Sequence, residues 1–117
     1  MTDRLDRARH AFEAIEHQDY EPAMVLVAPD YKHHVTSRGV EITGPQEFRD
    51  ILVPQLEQMG LIQRLEHIME SGDFIIATIR ATSHLADGES TIVYVFRYED
   101  DRIVEAWAIS RPVEPAG

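Results

Sequence analysis

Apolar and polar positions alternate most regularly between Tyr94 and Ser110, and a period of two over that length predicts two strands joined by a tight turn. On the first strand Tyr94, Phe96 and Tyr98 share one face and Val93, Val95 and Arg97 the other, with Glu99 to Arg102 as the turn. On the second, Ala106, Ala108 and Ser110 oppose Glu105, Trp107 and Ile109. A face of small residues behind a face bearing Trp predicts a sheet that lines a hollow on one side and packs on the other.

Elsewhere the period switches between helix and strand. Leu5, Ala8, Phe12 and Ile15 recur at helical spacing behind Thr2 and Asp3, either of which can cap the first turn. His10 and His17 fall on the solvated side of that helix, His17 in the last turn where the dipole favours a cation. Asp19 caps a second, short helix, with Pro22 in its first turn, Met24 to Val27 as its buried part and Pro29 as its stop. Asp30 to Val35 reads as a strand that points Tyr31, His33 and Val35 one way and Lys32 and His34 the other. The two adjacent histidines therefore cannot serve one pocket.

Ser37 to Thr43 reads as a loop over an open end of the fold. Gly44, Pro45 and Glu47 then open a helix whose apolar face runs through Phe48, Ile51, Leu52, Leu56 and Met59. Pro54 makes that helix kink or restart, and Gly60 ends it. Leu61 to Glu70 is a strand with apolar residues on both faces, so its buried side stays open, and Ser71-Gly72-Asp73 turns it back. From Phe74 to Leu85, Ile75, Ala77, Ile79, Ala81 and Ser83 form an apolar set against Thr78, Arg80, Thr82 and His84. Asp87-Gly88 leads into the last hairpin, and Pro112 to Gly117 reads as a frayed tail.

At 117 residues the chain is the size of one domain, residues 1–117, able to bury roughly two thirds of the surface its unfolded form exposes. Eleven Lys and Arg against twenty-one Asp and Glu give a formal charge of −10, which repels phosphate backbones and anionic headgroups. Nucleic acid and membrane are not expected as partners. With no cysteine, disulfides and thiolate chemistry are excluded and a reducing compartment is favoured. No apolar run approaches the ~20 residues of a membrane span, and a cytoplasmic protein is the expectation.

The last hairpin also carries a family resemblance. Hydrophobic-Phe96-Arg97, an acidic turn and Ile103-Val104-Glu105-x-Trp107 resemble the final hairpin of SnoaL-like proteins, in the superfamily of nuclear-transport-factor-2-like (NTF2-like) folds that includes ketosteroid isomerases. The likeness extends back through Gly44 and the Tyr31-x-x-His34 strand to Asp19-Tyr20. It implies an α+β fold: an NTF2-like cone, a curved antiparallel sheet wrapped over about three helices, with an internal pocket. If the protein is an enzyme, the resemblance implies polyketide-cyclase-like or isomerase-like chemistry, and no metal or other cofactor is expected.

The reactive positions of that family are changed here. Where SnoaL-like cyclases carry His and Asp beside the Trp, this chain has Ala106 and Ala108, and the neighbouring polar partners fall on Val35, Ile92 and Tyr94. The Tyr and two Asp of ketosteroid isomerases would fall near Ala11, Val35 and Tyr94, and the Arg-x-Asp of the superfamily's epoxide hydrolases on Arg80-Ala81-Thr82. Tyr94, a neutral donor of pKa about 10, and His33, near 6.5, remain as polariser and base. Such a pair could hold a ketone or an enolate.

The expected ligand contacts are Val35, Ile75, Ala77, Ile79, Ala81 and Ile92, with Ala106, Ala108 and Ser110 on the last strand. This lining suits a small hydrophobic molecule, and no metal, because His33, His34, His67 and His84 lack a spacing that places two on one face. The bland alternative makes Tyr94 a core aromatic, His33 a rim residue and the protein a non-catalytic binding or interaction module. Thr78, Arg80, Thr82, Trp107 and Ile109, on the face away from the pocket, predict a homodimer through the sheet.

Overall fold

The computed structural model describes residues 3–36, 39–83 and 88–111. Helix α1 (Arg4–Glu16) begins where the Asp3 carboxylate accepts the Asp6 backbone N–H at 2.7 Å, an N-cap that answers one of the first turn's orphan donors. It buries Ala8, Ala11 and Phe12, with Leu5 and Ile15 packed beside them. Helix α2 (Glu21–Leu26) follows, with Asp19 Oδ1 accepting from the Glu21 N–H at 3.2 Å and Pro22 in its first turn. Within it Met24 is buried, but Val25 is 70% exposed, because six residues present only one face inward.

The strands are β1 (Val27–Val35), β2 (Val40–Thr43), β3 (Leu61–Ser71), β4 (Phe74–Ser83), β5 (Glu89–Glu99) and β6 (Arg102–Arg111). They form one open sheet in the order β2-β1-β6-β5-β4-β3. The sheet is not wholly antiparallel as expected: β1 runs parallel to β6, His33 opposite Ala106 and Val35 opposite Ala108. A parallel neighbour needs a long crossover, and here the whole chain between the two strands provides it.

Two expectations near β1 are corrected. Pro29 lies inside the strand, where the β1–β6 register shifts between Val27 and Lys32, so its missing N–H falls in a break in the ladder. The stretch before Gly44, expected to be a loop, contains β2, which pairs with β1 through Ile42 opposite His33 and buries Ile42 completely. Ser37 and Arg38 of that loop, His84, the Asp87 side of the β4–β5 turn and the Pro112–Gly117 tail lie outside the described residues.

Gly44 adopts φ +79° at the start of helix α3 (Gly44–Glu47), and a Cβ there would stand 2.8 Å from the Pro29 carbonyl oxygen. Only glycine lets the helix turn back this closely over β1. Ahead of Pro54, which cannot donate to the preceding turn, Phe48–Leu52 widens into a π-helical turn before helix α4 (Val53–Gln58) restarts. Gly60, at φ 62°, ends the segment. At the far end Glu99 pairs with Arg102 around an Asp100-Asp101 loop, Asp100 taking φ 55°.

Parity along β4, β5 and β6 is as the alternation predicts. Ile75, Ala77, Ile79 and Ala81 are 0–1% exposed, and Tyr94 and Phe96 face Ala108 and Ala106 across the β5–β6 ladder. On β3 the open question resolves by a bulge. Gln63 and Leu65 point inward, the register shifts between Leu65 and His67, and Ile68 takes the inward place after it. Among the described residues, no helix is long and apolar enough to cross a membrane.

Candidate functional site

The concave face of the sheet is divided. Phe12 of α1 packs with Ala77, Ile79 and Ala81 in one core cluster, while Ala8 packs with Ile75 and Ala106 in another. These five expected ligand contacts, Ile75, Ala77, Ile79, Ala81 and Ala106, line neither of the two cavities described next. Alternation reports the face a side chain takes, and core packing leaves these five only 0–1% exposed.

Among the described residues the rest of the concave face stays open. A cleft of about 460 Å³ is bordered by Val35, Ile92, Ala108 and Ser110, all expected contacts, and by Leu52 and Leu56 from the helical side. Deeper, a small cavity of about 60 Å³ lies among Phe12, Tyr20, Met24, Tyr31, Gln63 and Ile103. His33, Leu52, Leu56 and Tyr94 line both. The two predicted polar residues therefore stand at the neck between cleft and cavity, their ring centroids 6.4 Å apart.

His33 is 4% exposed and lies among aromatic rings, edge-on to Phe48 at 5.7 Å and to Tyr31 at 6.1 Å. Burial, followed by the neighbouring His34, lowers its pKa to about 4, because a desolvated imidazole resists taking a charge. At neutral pH it is uncharged. Among the described residues it has no hydrogen-bond partner, yet its ring nitrogens are not among the occluded polar atoms, so they touch the open space of the neck.

Tyr94 donates its hydroxyl to Gln63 Oε1 at 2.7 Å, and its ring stacks on Phe96 at 5.7 Å and tilts against Phe12 at 5.6 Å. Burial above all, and then the nearby Tyr20, raise its pKa, while the Gln63 bond partly offsets them. Gln63, 3% exposed, is the polar residue that sequence reasoning missed. Its place on a strand with two apolar faces concealed it, and the only available signal was a lone polar residue between Leu61 and Leu65 at the same parity. The Tyr31 hydroxyl is buried without a partner among the described residues, and burial raises its pKa.

His34 faces the opposite side of the sheet. Its Nε2 lies 2.8 Å from Glu105 Oε2 and its ring stacks on Trp107 at 5.7 Å, so the adjacent histidines separate as parity requires. The His34 hydrogen bond is the main influence holding the Glu105 carboxyl below its ordinary range. Among the described residues no group of three or more His, Asp or Glu could hold a metal ion.

The sequence model of the SnoaL-like domain matches residues 8–106. The chain belongs to this family. No match is found among curated protein sequences. Solved structures share the fold of this SnoaL-like chain at low identity. A proposed polyketide cyclase from Sinorhizobium meliloti aligns with a TM-score of 0.75 and 17% identity, covering 88% of this chain and 93% of that one. A proposed ketosteroid isomerase from Kribbella flavida gives 0.76 and 14%, covering 97% and 82%. IdmH, a proposed polyketide cyclase from Streptomyces antibioticus, gives 0.71 and 23%, covering 92% and 91%. Neighbours with different named activities on one SnoaL-like fold leave function to the residues of the site.

Proposed function

We propose that this SnoaL-like protein binds a small, uncharged, largely hydrophobic molecule carrying a ketone, its apolar body in the cleft and its oxygen at the neck. The supporting observation is that His33 and Tyr94 line both the cleft and the small cavity, and both are neutral at physiological pH because burial disfavours their charged forms. A carboxylate or ammonium entering there would lose its hydration and meet no opposite charge. A ketone would lose one hydrogen bond to water and find others. Titration of the 15N-labelled protein with 2-tetralone, a neutral bicyclic ketone, should give saturable amide shifts around β1, β5 and β6, and 2-naphthoate should give none. No saturation by the ketone, or equal saturation by the carboxylate, rejects the proposal.

A second reading, cyclisation, isomerisation or enolisation with His33 as base and Tyr94 as polariser, is favoured by their meeting at one neck. Two observations weigh against it. An imidazole held near pKa 4 is a weak base for a carbon acid at neutral pH, and the Tyr94 proton is already engaged by Gln63. Deuterium exchange at the α-carbons of 2-tetralone in D2O separates the readings. Acceleration that disappears in His33→Asn would establish catalysis, and exchange at the buffer rate would leave binding alone.

A further inference from the structure

We propose that Gln63, through its amide Nε2, is the donor that selects a carbonyl oxygen in the small cavity that shares His33 and Tyr94 with the cleft. This rests on the binding reading above and specifies its polar recognition. Gln63 sits on β3, 3% exposed, and its Oε1 is occupied by the Tyr94 hydroxyl at 2.7 Å. A primary amide has two N–H donors as well as its oxygen, and among the described residues Nε2 donates to none. Nε2 is also not among the fully occluded polar atoms, so it borders the space that Gln63 lines with His33 and Tyr94.

The orientation of the amide follows from the hydrogen bonds. With Oε1 toward Tyr94, the phenolic proton has an acceptor and Nε2 faces the cavity. Reversing the amide would give Tyr94 a donor while leaving its own proton unanswered, since among the described residues Tyr94 has no other hydrogen-bond partner. A buried donor left unmade costs more than a made bond contributes. Tyr94 is therefore a positioning residue: it turns the amide so that the pocket presents N–H groups to a ligand. A carbonyl accepts from them, a hydrocarbon leaves them unpaired, and an anion meets only neutral groups.

Prodan, a neutral naphthyl ketone whose emission shifts to the red when its carbonyl accepts a hydrogen bond, and its ketone-free counterpart 2-(dimethylamino)-6-propylnaphthalene are suitable probes. The wild-type protein should bind prodan about three- to tenfold tighter than the ketone-free probe, the preference one neutral hydrogen bond supports. Gln63→Met should abolish that preference and shift bound prodan emission to the blue, with affinity for the ketone-free probe kept. Because Gln63→Met alone orphans the Tyr94 hydroxyl, Gln63→Met with Tyr94→Phe provides a matched apolar pair that should fold and show the same loss. A preference that survives in the double variant, or that is lost in Tyr94→Phe and kept in Gln63→Met, overturns the assignment while leaving the pocket reading intact. If neither probe binds the folded wild-type protein, the pocket reading fails and the assignment with it.

Discussion

Tyr94 on β5 and Gln63 on β3 are joined by a 2.7 Å hydrogen bond that reaches over the intervening strand β4. Gln63 pairs with Ala81 and Tyr94 with Ala77, so the two polar side chains approach diagonally across the inward face of β4. A pair that is buried and mutually satisfied is costly to break from one side only.

Tyr94→Phe leaves the Gln63 oxygen buried without its donor and should destabilise the fold by about 1 to 3 kcal/mol in urea unfolding. Adding Gln63→Met removes the stranded acceptor, so the double variant should lose less than the sum of the singles. Strict additivity would show that the two side chains are not coupled.

His33 makes stability pH-dependent. Burial lowers its folded pKa to about 4 from an ordinary 6.5, so above pH 6.5 it is neutral in both states and costs nothing. As pH falls below 6.5 the unfolded chain takes a proton that the folded chain refuses, and stability drops until about pH 4, by on the order of 3 kcal/mol. His33→Asn lacks this loss. The wild-type advantage over the variant should therefore shrink between pH 7 and pH 4, and a constant difference across that range would contradict a buried, neutral His33.

Gly44→Ala and Gly72→Ala should differ in cost although both glycines have positive φ, +79° and +60°. At Gly72 the added methyl meets nothing within 4 Å, and only backbone strain of about 1 kcal/mol applies. At Gly44 it meets the Pro29 carbonyl oxygen at 2.8 Å, so α3 must shift from β1 and the loss should exceed about 2 kcal/mol. Equal melting temperatures for the two variants would contradict the close approach.

The outer sheet face carries an apolar row across four strands, Met69 beside Ile76, Ile76 beside Val95 and Val95 beside Trp107. Met69 is 56% exposed, and Ile109, further along β6, is 46% exposed. We expect two copies to cover this face mutually. Sedimentation at micromolar concentration should give twice the chain mass for the wild type and the chain mass for Met69→Lys with Ile109→Lys. A wild-type monomer removes the expectation.

Much of the architecture is legible in the chain because local rules act without competition. Strand parity puts Tyr31, His33 and Val35 together, sends His34 to the other face and gives Tyr94 with Phe96, and Ala106 with Ala108, one face each. The cap at Asp3, the restart before Pro54 and the reversal at Gly60 follow from backbone donors and φ angles that these residues determine themselves, whereas the N-cap of α2 is Tyr20 and Asp19, one place earlier, accepts from the Glu21 N–H. Local rules also read Pro29 as a stop, but the β1–β6 register break accommodates it inside a strand.

Position along the chain, by contrast, carries no depth. Ile75, Ala77, Ile79, Ala81 and Ala106 share the inward parity of Ile92 and Ala108, yet core packing closes over the first five, 0–1% exposed, and the last two border the cleft. The bulge between Leu65 and His67 decided which face of β3 is buried, and so brought Gln63 inward to meet Tyr94. The parallel pairing of β1 with β6 set His33 beside Ala106 and aimed it at the same neck. Alternation and capping are properties of a few neighbouring residues, so the sequence determines them by itself; depth of burial, register shifts and contacts between distant strands come from packing the whole chain at once, and only the tertiary structure decides them.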